Sequence, residues 1–159
     1  MPKVVLKLGD DVSTDIIYPG RFMATVLPSE TPQYAFADMP DFNASLKKKE
    51  FPPHSVIVAG RNFGCGSSRE QAAIALKAAG VVGVIAPSFA RIFFRNAINI
   101  GLPLVECHIS CREGAGVRFN LEEGWAEVDG ERCRARPLSP RMLEILKAGG
   151  LVAYWRGRR

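Results

Sequence analysis

Several things are missing from this 159-residue chain, and each absence narrows what it can be. No apolar run approaches the length that crosses a bilayer, so a membrane protein is not expected. The opening Met1-Pro2-Lys3-Val4-Val5-Leu6-Lys7 has no signal-peptide core before the next charge, which makes cytoplasm the expected compartment. Cysteine is scarce: Cys65, Cys107, Cys111 and Cys133 include no Cys-x-x-Cys pair. The run Cys107-His108-Ile109-Ser110-Cys111 has metal-ligating types but no second ligand pair, so free thiols in a reducing compartment are expected rather than a zinc site. Aromatic residues are not interleaved with the basic clusters, which argues against nucleic-acid binding. Internal repeats and low-complexity linkers are also lacking, leaving residues 1–159 as one expected domain, long enough to bury a real core.

What is present is typical of a globular chain, with 47% apolar and 23% charged residues. The net charge of +5 is modest. It gathers at Lys47-Lys48-Lys49 and at Arg156, Arg158 and Arg159, both beside expected loops, where a solvated face explains it. The other arginines sit near glycine-rich turns, a placement that suits an acidic substrate better than a polyanion.

The hydrophobic pattern predicts alternating strands and helices. Val4–Leu8 reads as a short strand running into a Gly9-Asp10-Asp11 turn, and a polar loop from Asp11 closes at Pro19-Gly20. Arg21–Leu27 follows with apolar side chains that either pack on the core or wall a pocket. A helix is expected to start at Thr31-Pro32, and the stretch through Lys47–Lys49 and Pro52-Pro53 reads as surface. Val56–Ala59 and Val81–Ala86 read as buried strands flanking a helix from Glu70 to Ala79, a βαβ unit. A second helix is expected over Phe89–Ala97 with Ser88 as its cap, then a strand over Leu102–Glu106. Beyond Gly114 the pattern alternates in Val117–Leu121 and Trp125–Val128, a hairpin turned at Glu122-Glu123-Gly124. A last helix around Leu143–Lys147 ends at Gly149-Gly150. The expected architecture is an α/β domain with a small antiparallel annex.

The stretch with most chemical content is Gly60-Arg61-Asn62-Phe63-Gly64-Cys65-Gly66-Ser67-Ser68-Arg69-Glu70, between the second strand and the first long helix. Its glycines permit positive φ and a sharp turn, and Ser67 or Ser68 suits the helix N-cap with Glu70 in the first turn. Local physics leaves two readings open. One is an ordinary capped turn; the other is an anion site made of backbone N–H groups, two hydroxyls and a guanidinium. Nucleotide motifs do not fit: Gly66 is followed by serine with no lysine, and Arg69 stands where a dinucleotide fingerprint needs glycine. The Gly-x-Ser-x-Gly elbow of hydrolases is absent too.

Three stretches, in this order, carry a resemblance: Ser13-Thr14-Asp15-Ile16-Ile17-Tyr18-Pro19-Gly20, Asn62–Glu70, and Ser88-Phe89-Ala90-Arg91-Ile92-Phe93. Together they resemble the swivelling domain of the aconitase superfamily. Length and spacing are similar to the free-standing small subunits of isopropylmalate isomerases and homoaconitases, strongly over residues 4–106 and loosely beyond. The resemblance implies a three-layer β/β/α fold and a hydro-lyase that removes and re-adds water on a small 2-hydroxy di- or tricarboxylate. It also implies a large partner subunit carrying a 4Fe–4S cluster, with no metal or cofactor in this chain and no activity alone.

By the same match, Ser67 is the expected catalytic base, and Ser68 and Arg69 the grip on substrate carboxylate. Thr14 and Asp15 are expected as support, with Gly64, Cys65 and Gly66 supplying N–H donors. Arg91 is a further supporting candidate, and either arginine could instead serve a structural ion pair. The loop Phe22-Met23-Ala24-Thr25 stands where family members select substrate. Homoaconitases tend to place arginine where Ala24 stands, whereas isopropylmalate enzymes tend to place an apolar residue there. Ala24 therefore favours isopropylmalate and leucine biosynthesis, because a small apolar wall cannot pair a buried extra carboxylate. A homoaconitase, a dimethylmalate or citramalate dehydratase, and a non-catalytic anion-binding module remain as alternatives.

Overall fold

A computed structural model of the protein describes residues 3–18, 55–66, 70–109, 111 and 114–157. The expected Thr31 helix and the Arg21–Leu27 wall lie outside those residues. Four strands, β1 (Lys3–Lys7), β2 (Ser55–Val58), β3 (Val81–Ala86) and β4 (Leu104–Glu106), form a parallel sheet in the order β1-β2-β3-β4. Helix α2 (Glu70–Ala78) joins β2 to β3 and α3 (Arg91–Ile100) joins β3 to β4. Both are crossovers of the kind that parallel pairing demands. A second sheet is antiparallel, β5 (Val117–Asn120), β6 (Trp125–Val128) and β7 (Glu131–Arg134) in that order. Two further helices, α4 (Pro140–Ala148) and α5 (Leu151–Gly157), close the described chain, and a single turn, α1 (Thr14–Ile17), precedes them all.

The layering follows from the two-residue period of a strand. Leu6, Ile57, Val84 and Leu104 point to one face of the parallel sheet, where they pack with Ala72, Leu76, Phe93 and Ala97 of the helices. Val4, Val56, Val58, Ile85 and Val105 point to the other face and pack against Val117, Ala126 and Val128 of the antiparallel sheet. All four residues of β2 are buried, which is why Val56-Ile57-Val58 is an uninterrupted apolar run rather than an alternation. The resulting stack of antiparallel sheet, parallel sheet and helices is the expected β/β/α arrangement.

Several local readings are corrected. The polar stretch after β1 is not all loop: Ser13 caps α1, its Oγ accepting from the Ile16 N–H at 3.2 Å. Helix α3 starts at Arg91 behind Ala90, and Ser88 does not cap it, because the Ser88 hydroxyl accepts the Asn62 N–H at 2.9 Å instead. The last expected helix begins earlier, at Pro140 with Ser139 as its cap, and β7 and α5 were not anticipated. Strand β7 was hidden because its burial pattern is exposed nearly throughout, so it carries no hydrophobic period. The expectation of four free thiols holds for Cys65 and Cys111 only. Cys107 and Cys133 form a disulfide with their Cα atoms 6.2 Å apart, a pairing set by the meeting of the two sheets.

Candidate active site

Parallel sheets place their functional loops beyond the carboxyl ends of the strands. Here the segments leaving β1, β2 and β3 are tied to one another by backbone hydrogen bonds. Gly60 N–H donates to the Gly9 carbonyl (3.0 Å) and Asp11 N–H to the Arg61 carbonyl (2.8 Å). Phe63 and the segment after β3 exchange a pair, Phe63 N–H to Ser88 O (3.2 Å) and Ala90 N–H to Phe63 O (3.0 Å). Side chains reinforce the same seams. The Asp10 carboxylate accepts the Arg61 N–H at 2.7 Å, and Asn62 Nδ2 donates to Asp11 Oδ1 at 3.0 Å. Asp11 and Asn62 both hold positive φ, 55° and 58°. Asparagine and aspartate tolerate that region better than other non-glycine residues, and their mutual hydrogen bond holds both there.

The glycine-rich turn grows from this base. Gly64 and Gly66 adopt φ of 84° and 95°, so neither position accepts a side chain without strain. Gly64 N–H donates to the Val12 carbonyl at 2.7 Å, and Thr14 N–H to the Cys65 carbonyl at 2.8 Å, which hang the turn on the start of α1. A Cβ on Gly64 would run into the buried Phe93 ring, so the turn lies directly on α3. Phe63 anchors it from below, edge-on to Phe89 and Phe93 with centroids 6.1 and 5.3 Å away.

Above the turn lies a cavity of about 540 Å³ lined by Thr14, Asn62, Gly64, Cys65, Gly66, Phe89, Ala90, Arg91, Ile92, Phe93 and Asn96. Of the expected site residues, Thr14, Gly64, Cys65, Gly66 and Arg91 are thereby brought together. Thr14 is buried, and Gly66 is close enough that an added Cβ would lie 3.6 Å from Thr14 Oγ1. Asp15 is exposed in the first turn of α1 and is not among the described residues of the lining. Ser67, Ser68 and Arg69, and the loop Phe22-Met23-Ala24-Thr25, lie outside the described residues. The described chain meets the first three at Gly66 on one side and at Glu70, the opening residue of α2, on the other.

Two details refine the expected donor set. The Gly64 amide is engaged by Val12 and Cys65 is bridged to Ser13, whereas the Gly66 amide has no hydrogen-bond partner among the described residues. Asn62 and Asn96 also line the cavity, and neither was assigned a role from sequence. A signal existed for Asn62, since asparagine between glycine-rich positions is a ready occupant of the left-handed region.

The family model for the aconitase C-terminal domain matches residues 12–107, which contain every described residue lining this cavity. The chain belongs to that family. It is 50% identical over 151 residues, 91% of this chain and 85% of the other, to a protein of Methanopyrus kandleri named 3-isopropylmalate dehydratase small subunit 1. It is 46% identical over 154 residues, 95% of this chain and 88% of the other, to the methanogen homoaconitase small subunit of Methanothermobacter thermautotrophicus. A crystal structure of 3-isopropylmalate dehydratase from Methanocaldococcus jannaschii superimposes with a TM-score of 0.87 at 41% identity, covering 98% of this chain and 93% of that one. The aconitase-type fold read from three motifs is therefore the fold of the chain. Among the described residues no helix is long and apolar enough to cross a membrane.

Proposed function

We propose that the chain is the small subunit of a 3-isopropylmalate dehydratase, a hydro-lyase that interconverts 2-isopropylmalate and 3-isopropylmalate by dehydration and rehydration in leucine biosynthesis. One observation carries the reading. A glycine-rich turn is held at the carboxyl ends of three parallel strands, in a chain 50% identical to a protein of that name. In this reading residues 1–159 act as one swivelling domain in the cytoplasm and close over a cleft shared with a large subunit.

Ser67 is the base that takes the carbon-bound proton. A serine hydroxyl is a weak base, so its alkoxide needs dense donors, and the Gly66 amide, uncommitted among the described residues, together with the start of α2 is suited to supply them. Ser68 and Arg69 hold a substrate carboxylate, Arg69 through a two-pronged fork that no lysine reproduces. Thr14, Asp15 and Arg91 support that constellation. Phe22, Met23, Ala24 and Thr25 form the wall that accepts the isopropyl branch.

Among the described residues no three His, Cys, Asp or Glu side chains gather as a ligand set, and Cys107 and Cys133 are bonded to each other. The donors among the described residues do not form a site for a 4Fe–4S cluster. The reading assigns the cluster to the large subunit, where it supplies a Lewis acid for the departing hydroxyl.

Homoaconitase is the second reading, favoured by the methanogen relative. Ala24 weighs against it, because a homoaconitate carboxylate placed there would be left unpaired. Reconstitution with the large subunit tests both readings. Turnover of isopropylmalate is expected to exceed that of homoaconitate; the reverse order would refute the Ala24 argument. Ser67→Ala should leave assembly intact and abolish turnover, whereas Arg69→Lys should mainly raise KM. Near-normal turnover in Ser67→Ala would remove the base from its assignment.

A further inference from the structure

A second cavity, of about 560 Å³, opens between α3 and α4 and shares Phe89 and Arg91 with the candidate active site. Its floor is apolar: Phe94 and Ile98 of α3 meet Met142 and Ile145 of α4, and Ile98 and Ile145 are buried. Its rim is cationic. Arg91 and Arg95 lie one turn apart on α3, Arg136 follows β7, and Arg141 lies in the first turn of α4, all four exposed. Among the described residues a single carboxylate, Glu106, shares the lining, and none of the four guanidinium groups has an ion pair there.

Charges arranged for stability alone are commonly paired, as Arg118 and Arg132 are with Glu127 on the antiparallel sheet. Four arginines with no ion pair among the described residues, around an apolar floor, are instead the composition of a recognition surface, where arginine forks meet carboxylates and apolar anchors fill the centre. The groove is also continuous with the mouth of the active-site cavity. Phe89 and Arg91 line both, and Ile92, which lines the active-site cavity beside Arg91, is 54% exposed. Any partner that closes the active site therefore reaches the groove without crossing a gap.

We propose that the α3–α4 groove is the docking site for an acidic, apolar-anchored segment of the large subunit. This rests on the reading of the chain as a small subunit. Asp or Glu side chains of the segment pair with Arg95, Arg136 and Arg141, and one or two apolar residues between them cover Ile98 and Ile145. The groove sets affinity and orientation and takes no part in the chemistry.

Titration of the purified chain with its large subunit tests this by isothermal calorimetry, with sedimentation of each chain alone as a companion. The wild type should bind in a salt-sensitive manner. Arg95→Glu combined with Arg141→Glu should weaken binding by roughly 100-fold with unchanged circular dichroism and melting. The neutral pair Arg95→Gln and Arg141→Gln should weaken it by about tenfold, and serves if charge reversal perturbs folding. At saturating large subunit both pairs should recover wild-type kcat, because the loss is in assembly. Wild-type affinity in the variants would overturn the groove while leaving the subunit reading intact. Absence of binding by the wild type would overturn both. Self-association of the wild type that disappears in the variants would show a second copy in the groove, and would also overturn the proposal.

Discussion

The turn at Gly64 offers a test in which two chemically identical substitutions separate backbone strain from steric collision. Gly64→Ala and Gly66→Ala each force alanine into the left-handed region, at φ of 84° and 95°, which costs about 1–2 kcal/mol apiece. They differ in what the new methyl meets. At Gly66 the nearest described atoms are Thr14 Oγ1 at 3.6 Å and Ser13 Cβ at 3.7 Å, which is ordinary contact. At Gly64 the methyl overlaps the Phe93 ring, whose Cδ1 lies 2.7 Å away, and Phe93 is a fully buried part of the core. Overpacking of this kind adds about 1–3 kcal/mol. The expected destabilisation is therefore about 2–5 kcal/mol for Gly64→Ala against about 1–2 kcal/mol for Gly66→Ala. Urea unfolding followed by circular dichroism measures both. Adding Phe93→Leu to Gly64→Ala should recover part of the loss, a coupling that independent sites do not show. Equal destabilisation by the two alanines, or simple additivity with Phe93→Leu, would refute the claim that the turn rests on α3.

Lys77 ties helix ends together, its Nζ donating to the carbonyls of Ile100 at 2.8 Å and Gly149 at 3.0 Å, the C-termini of α3 and α4. Lys77→Met should lower unfolding free energy by about 1–2 kcal/mol, while Lys77→Arg should lose less. Hydrogen bonds from Arg118, with help from Arg132, hold the Glu127 carboxyl below its ordinary value. A carboxylate with a lowered folded-state pKa stabilises fully above the ordinary glutamate range and loses that contribution as pH falls through the lowered value. An NMR titration of Glu127 should show a midpoint below that of Glu127 in Arg118→Gln, and coincident midpoints would refute the pairing. Peptide mapping without reductant should recover Cys107 linked to Cys133, with Cys65 and Cys111 as thiols. Burial pushes the Cys111 thiol up, so at pH 8 it should alkylate more slowly than an exposed model thiol.

Most of the fold was legible because parallel strands buried on both faces must be apolar throughout, and the helices between them must be long enough to cross back. Val56–Ala59, Glu70–Ala79 and Val81–Ala86 announce a βαβ unit in any reading. Three ordered motifs then identify the aconitase-type domain, and the glycines at 64 and 66 mark a turn that only glycine can make. Strand β7 was not legible, because an exposed strand has no apolar period, and its place depends on pairing with β6. Cys107 and Cys133 stand 26 residues apart in sequence, and only the packing of one sheet on the other brings them together.

The same division holds at the site. Residue types at the turn allowed an anion grip beside an ordinary capped turn, and the three-motif resemblance, not local physics, favoured the grip. The tertiary structure alone decided that Gly64's amide is engaged by Val12, that Thr14 is buried against the turn while Asp15 faces outward, and that Asn62 is held by Asp11 and Ser88. Those partners come from different strands' ends, and nothing local to any one segment specifies them. Sequence sets what a segment can do alone, through φ preference, period and charge. Which groups meet is set by the register of three parallel strands, a property of the sheet as a whole.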